Sequence, residues 1–136
     1  MRMTRRKAVG SALGGLAATA LLSPTHAAKP TGARNCFTVL YPWQADARFD
    51  FAYYTDKHLP MLRKLYGASV GKMEVRKGLR KGDGSAPAFV ASVTIEILSM
   101  EGFDAAGKQH LPAIRADVAN YTNLVPVAQV EESVWI

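Results

Sequence analysis

The chain has 136 residues, 49% of them hydrophobic, and a formal charge of +6 that is unevenly spread. That length suits one domain with a core of its own. A single cysteine, Cys36, excludes an intramolecular disulfide, and beyond residue 27 only His58 and His110 remain as histidines, isolated from Cys36 and from each other. No metal-ligand spacing results, and no zinc site is expected.

Residues 1–27 read as an export signal. Arg2, Arg5, Arg6 and Lys7 form a basic head without an acid, residues 8–22 are an apolar core, and Thr25-His26-Ala27 offers small residues where a peptidase reads. Thr4-Arg5-Arg6-Lys7 fits the twin-arginine pattern, and Gly10, Gly14 and Gly15 dilute the core as such signals do; an ordinary secretory signal with a chance Arg-Arg is the alternative. The core is too short to remain as a membrane span. No lipobox precedes Cys36, so no stable membrane anchor is expected after cleavage, and the product should be periplasmic or secreted. The leader takes four of the 17 cations and none of the 11 acids, leaving 13 against 11, or about +2. A nucleic-acid partner therefore loses its electrostatic basis: Lys72, Arg76, Lys77, Arg80 and Lys81 cluster without interleaved aromatics and read as a solvated hairpin.

After a linker at 28–35, the domain is expected over 36–136. Residues 36–41 form a β-rich run. Asp50 is placed to cap a helix that stops at Gly67. Residues 70–77 alternate Met73 and Val75 with Lys72, Glu74 and Arg76, and Lys81-Gly82-Asp83-Gly84-Ser85 reads as a hairpin turn rather than a phosphate loop. Residues 88–98 put Phe89, Ala91, Val93, Ile95 and Ile97 on one face and Val90, Ser92, Thr94 and Glu96 on the other. Ser99 caps a helix with Met100, Phe103 and Ala106, a second helical piece carries Leu111, Ile114 and Val118, and a last strand runs over 127–134. The order is βαββαβ, the ferredoxin-like α+β plan, a four-stranded antiparallel sheet with helices on one face. Its other face, with Cys36, Leu40 and Val90, needs a cover, most simply a second copy in a homodimer. Trp135, near the end, either crosses that boundary or packs on its own helix.

The stretch from Phe49 to Pro60 holds the candidate chemistry. With Asp50 as N-cap, Phe51, Tyr54, His58, Met61, Leu62 and Leu65 share one helical face, so His58 points inward one turn from Tyr54. Pro60 has no N–H for the carbonyl of Asp56, and a bend is expected beside His58. Two readings stand for such a ring: a packed, hydrogen-bonded core histidine, or a proton-transfer group.

The string Tyr53-Tyr54-Thr55-Asp56-Lys57-His58-Leu59-Pro60 resembles the signature of the EthD family. Tyr41-Pro42, the segment from Ser99 to Ala106, and the run from Ala116 to Asn123 are similar to further parts of its pattern, in order along the chain. The resemblance implies a dimeric α+β barrel and a functional role for His58; members are linked to ether breakdown, with relatives in aromatic polyketide metabolism. The leading expectation is binding of a hydrophobic or aromatic small molecule in a cavity between helices and sheet. No cofactor is implied, and acid/base chemistry of lyase, isomerase or cyclase type would fall to His58, with Tyr54 as its hydrogen-bonding neighbour and Asp117 orienting the imidazole or lying on the surface. Tyr53, Tyr41 and Tyr121 are the expected ligand contacts. The alternatives are a non-catalytic binding or accessory protein for an oxygenase, and a haem protein with His58 or His110 as axial ligand.

Overall fold

The computed structural model describes residues 34–134 and, ahead of them, Gly10, Gly14 and Gly15. Apart from those three glycines the export signal lies outside the described residues, as does Trp135. Four strands, β1 (Asn35–Pro42), β2 (Val70–Lys77), β3 (Phe89–Ile97) and β4 (Val127–Glu132), form one antiparallel sheet in the order β2-β3-β1-β4. This is the ferredoxin-like arrangement expected from the pattern.

The first helical unit changes register twice. Asp50 Oδ1 accepts from the Tyr53 backbone N–H at 2.9 Å and starts α1 (Phe51–Tyr53). A π-helical turn follows over Tyr54–His58, closed by the Leu59 N–H on the Tyr54 carbonyl five residues back. α2 (Leu59–Tyr66) then resumes, with Pro60 in its first turn, and ends at Gly67, whose φ of 53° suits a residue without Cβ. The bend expected at Pro60 is thus a π turn. The proline stands where an α segment's missing N–H costs nothing, and the wider turn carries Tyr54 and His58 inward.

A single helix, α3 (Met100–Val118), replaces the two pieces expected after Ser99. Ser99 Oγ accepts from the Gly102 N–H at 3.1 Å. Pro112 lies inside the helix and withholds its N–H from the Lys108 carbonyl; both residues are exposed, where water can take the donor's place. In the hairpin, a Cβ on Gly78 would run into the Phe89 carbonyl, and Gly84 takes φ 86°.

The alternation in β3 sorts as expected over its centre. Ala91, Val93, Ile95 and Ile97 are buried under the helices beside Tyr41, Tyr54, Leu62, Val70 and Phe103. Phe89, at the strand's start where the β1 register shifts, is 39% exposed and does not join them. The outer face is more polar than anticipated. Thr38 and Glu131 join across β1 and β4 at 2.7 Å, and Arg76 reaches both Glu74 and Thr94, so Leu40 and Val90 are islands among hydrogen-bonded polar groups. No helix among the described residues is long and apolar enough to cross a membrane.

Candidate functional site

Two segments distant in sequence are clamped together beneath the helices. The Asp50 N–H donates to the Tyr121 carbonyl at 2.8 Å, Thr122 Oγ1 donates to the Arg48 carbonyl at 2.7 Å, and Asn123 exchanges hydrogen bonds with Arg48 and Asp46. This clamp fixes the end of α3 against the start of α1. It brings Asp117, in the last turn of α3, to the π turn.

The result is a chain of directed hydrogen bonds. Asp117 Oδ2 accepts from His58 Nδ1 at 2.7 Å, while Oδ1 accepts from the Tyr53 hydroxyl at 2.7 Å and from Asn120 Nδ2 at 2.9 Å. Burial alone would raise the Asp117 carboxyl, but the hydrogen bonds from Asn120, His58 and Tyr53 outweigh it and hold the group below its ordinary value. Desolvation dominates at His58 and lowers its pKa despite the opposing pull of Asp117. At neutral pH the pair is therefore an ionised carboxylate and a neutral imidazole whose proton sits on Nδ1. Nε2 keeps its lone pair.

His58 is 3% exposed, yet it lines a cavity of about 330 Å³ between the helices and the sheet. Among the described residues no buried side-chain nitrogen or oxygen lacks a hydrogen-bond partner. The only hydrogen bond of the ring is at Nδ1, so Nε2 is not sealed off. The imidazole packs against two aromatic rings. Tyr54 stacks on it with centroids 5.0 Å apart and 28° between planes, and Tyr121 lies 4.6 Å away at 54°.

Tyr54 is thus a stacking neighbour, not the hydrogen-bonding neighbour expected from the sequence. Tyr41, Tyr54 and Tyr121 all line the cavity, with the Tyr41 and Tyr121 hydroxyls sharing a 2.8 Å hydrogen bond. Burial raises all three phenols, so they stay protonated and can donate. Tyr53 is placed differently from its expected role as a ligand contact: its hydroxyl is turned to Asp117, outside the cavity lining. His110 does not line the cavity either. Among the described residues no group of three or more His, Cys, Asp or Glu is placed to hold a metal ion.

Two features escaped sequence reasoning. Asn120 is a third donor to Asp117, and its spacing of three residues at a helix end was the available signal. Arg115 also lines the cavity, on the stripe formed with Leu111, Ile114 and Val118.

Fold and site together define a ferredoxin-like α+β protein with a carboxylate-held histidine in an apolar cavity. A structure of an EthD-like protein from Ralstonia eutropha JMP134 is 40% identical over 73% of this chain and 90% of that one, with a TM-score of 0.68. The chain belongs to the EthD-like family. An EthD family protein from Bacillus halodurans C-125 has the same fold at 16% identity, TM-score 0.57, over 74% of this chain and 99% of that one. No family model matches the chain, and no curated protein matches it.

Proposed function

We propose that this protein binds a hydrophobic or aromatic small molecule in the inner cavity and catalyses cofactor-free proton transfer with His58 as the base. The observation that carries the reading is the division of labour on one cavity-lining ring: Nδ1 is held by the Asp117 carboxylate, and Nε2 is left without a hydrogen bond and unsealed. A neutral imidazole so fixed can take a proton from an acidic C–H and return it elsewhere, the step that isomerases, lyases and cyclases share. The phenols of Tyr41, Tyr54 or Tyr121 can donate to the carbonyl that gathers charge. Tyr53 and Asn120 are positioning residues that act through Asp117.

The test uses 2-tetralone, an aromatic ketone with an acidic C–H that fits the chemistry of the lining. In heavy water the protein should speed exchange of that hydrogen, seen by NMR, and His58→Gln should abolish the acceleration. Binding without exchange would instead support a carrier or accessory protein, a reading favoured by the predominantly apolar lining.

Export and pairing belong to the same proposal. The basic head and apolar core of residues 1–27 support the twin-arginine route, so replacing Arg5 and Arg6 together by lysine should block delivery to the periplasm. Val90 and Leu40 on the outer sheet face support a homodimer in which that face is covered. Sedimentation should give twice the chain mass, and Val90→Asp should weaken the pair in a concentration-dependent way.

A further inference from the structure

The stripe of α3 that faces the cavity is Leu111, Ile114, Arg115 and Val118, at positions i, i+3, i+4 and i+7 of one helical face. Three members are apolar, as a cavity wall requires, and the fourth is a guanidinium. Its neighbours on the helix give it nothing to pair with: Leu111 and Ala119 lie four residues to either side, and Pro112 and Val118 three. Asp117, two residues on, has both oxygens engaged by His58, Tyr53 and Asn120. Among the described residues no ion pair or hydrogen bond occupies the Arg115 guanidinium. Arg115 and Leu111 are exposed while Tyr54, His58 and Tyr121 are buried. The cation therefore stands at the mouth of the cavity and the base at its floor.

We infer that the ligand of this cavity is an amphipathic anion, an apolar or aromatic body carrying a carboxylate or a comparably planar oxyanion, which Arg115 receives at the mouth while the body fills the apolar interior. The inference rests on the small-molecule reading above and narrows it to a substrate class. A planar fork of N–H donors matches a carboxylate with two parallel hydrogen bonds, and its aliphatic stem can lie along Leu111 without breaking the apolar wall. The other tenants of the lining are neutral: the imidazole is unprotonated and the phenols keep their protons. Arg115 thus supplies the only full positive charge that a ligand in this cavity meets among the described residues. A cation in the last turn also suits the helix dipole. That role alone would tie Arg115 to stability and leave ligand preference untouched, which separates the two by experiment.

The experiment compares 2-naphthoate with 2-naphthamide, probes of nearly equal size and shape that differ in charge, by titration calorimetry on the full chain in low-salt buffer. The expected result is a preference of about tenfold or more for the carboxylate, the scale of one charge-assisted hydrogen-bonded contact. Arg115→Gln should reduce that preference to within about twofold by weakening naphthoate while leaving naphthamide unchanged. Arg115→Lys should retain part of it. Equal affinity for the two probes in the unaltered protein, or a preference that survives Arg115→Gln, would overturn the inference and leave the cavity reading intact. Saturable binding of neither probe would overturn both.

Discussion

On the inner face of the sheet polar groups are few, buried and almost fully engaged; on the outer face they are many, half-exposed and engaged in local pairs. The inner groups are shifted chiefly by desolvation, which raises Tyr41, Tyr54 and Tyr121 and lowers His58. The outer Glu131 is held low chiefly by hydrogen bonds, first from Gln129 and then from Thr38. An open groove of about 300 Å³ on that outer face mixes Arg34 and Lys72 with Glu74 and Glu96, so its charges offset one another. The inner cavity, similar in size, sets one ring nitrogen and one guanidinium among phenols and apolar side chains. What distinguishes the inner cavity from the polar surface is scarcity: its polar atoms are few, and those without a partner stand out.

The largest effect expected from this contrast is on chemistry. His58→Gln should lower exchange of the tetralone C–H by about 10² to 10⁴, the usual contribution of a positioned base, whereas Thr94→Ala on the outer face should leave exchange unchanged. The same ring sets the acid limb. His58 titrates below its ordinary value of 6.5, so exchange should be level above about pH 6.5 and fall as the imidazole takes its proton. Stability follows the same sign, because the unfolded chain binds the proton more readily; the contribution is complete above the unfolded value and is lost as pH falls through the window below it. Glu131 and Asp117 act lower down, their contributions being present above the ordinary carboxylate range and lost on further acidification. Exchange with no acid limb at any pH where the fold survives would break the assignment.

Neighbouring residues of β3 give the next contrast. Ile95 is 2% exposed in the core and its neighbour Thr94 faces outward. Ile95→Ala should cost about 2–5 kcal/mol in denaturant unfolding, and Thr94→Ala less than about 1 kcal/mol. Equal costs would mean that the outer face is as tightly packed as the inner one.

Tyr53→Phe removes one of three donors to Asp117, and with two remaining only a small loss of stability is expected in denaturant unfolding. Because Tyr53 acts through the carboxylate, the pH midpoint of exchange should move as well. A midpoint left in place would reduce Tyr53 to packing. The smallest effect is expected at Thr38→Val, which deletes the bond to Glu131 on the outer face and should change stability by no more than about 1 kcal/mol.

Much of the fold was legible in the chain because its signals are local. Asp50 and Ser99 cap helices through their own side chains, Gly67 ends one, and the alternation of Ala91, Val93, Ile95 and Ile97 assigns a face to β3. His58 was legible as an inward residue for the same reason. The two helical pieces expected after Ser99 are one helix, and Pro112 is carried inside it, so an interior proline does not by itself end a helix. The irregularity beside His58 was legible as a bend from the missing N–H of Pro60, but its form, a π turn over Tyr54–His58, was not, because a helical wheel assumes one constant period.

The sequence by itself determined the βαββαβ order, the inward register of Tyr54, His58 and Leu62, and the family, since each follows from periodicity, caps and motif within a few residues. Tertiary structure alone decided that Asp117 meets His58 across 59 positions, that Tyr53 serves the carboxylate instead of the cavity, and that Arg115 is left without a partner at the mouth. The physical reason is distance along the chain. A hydrogen bond between remote residues depends on how two helices are clamped, here by Asp50, Thr122 and Asn123, and no local pattern at either end encodes the angle at which they meet.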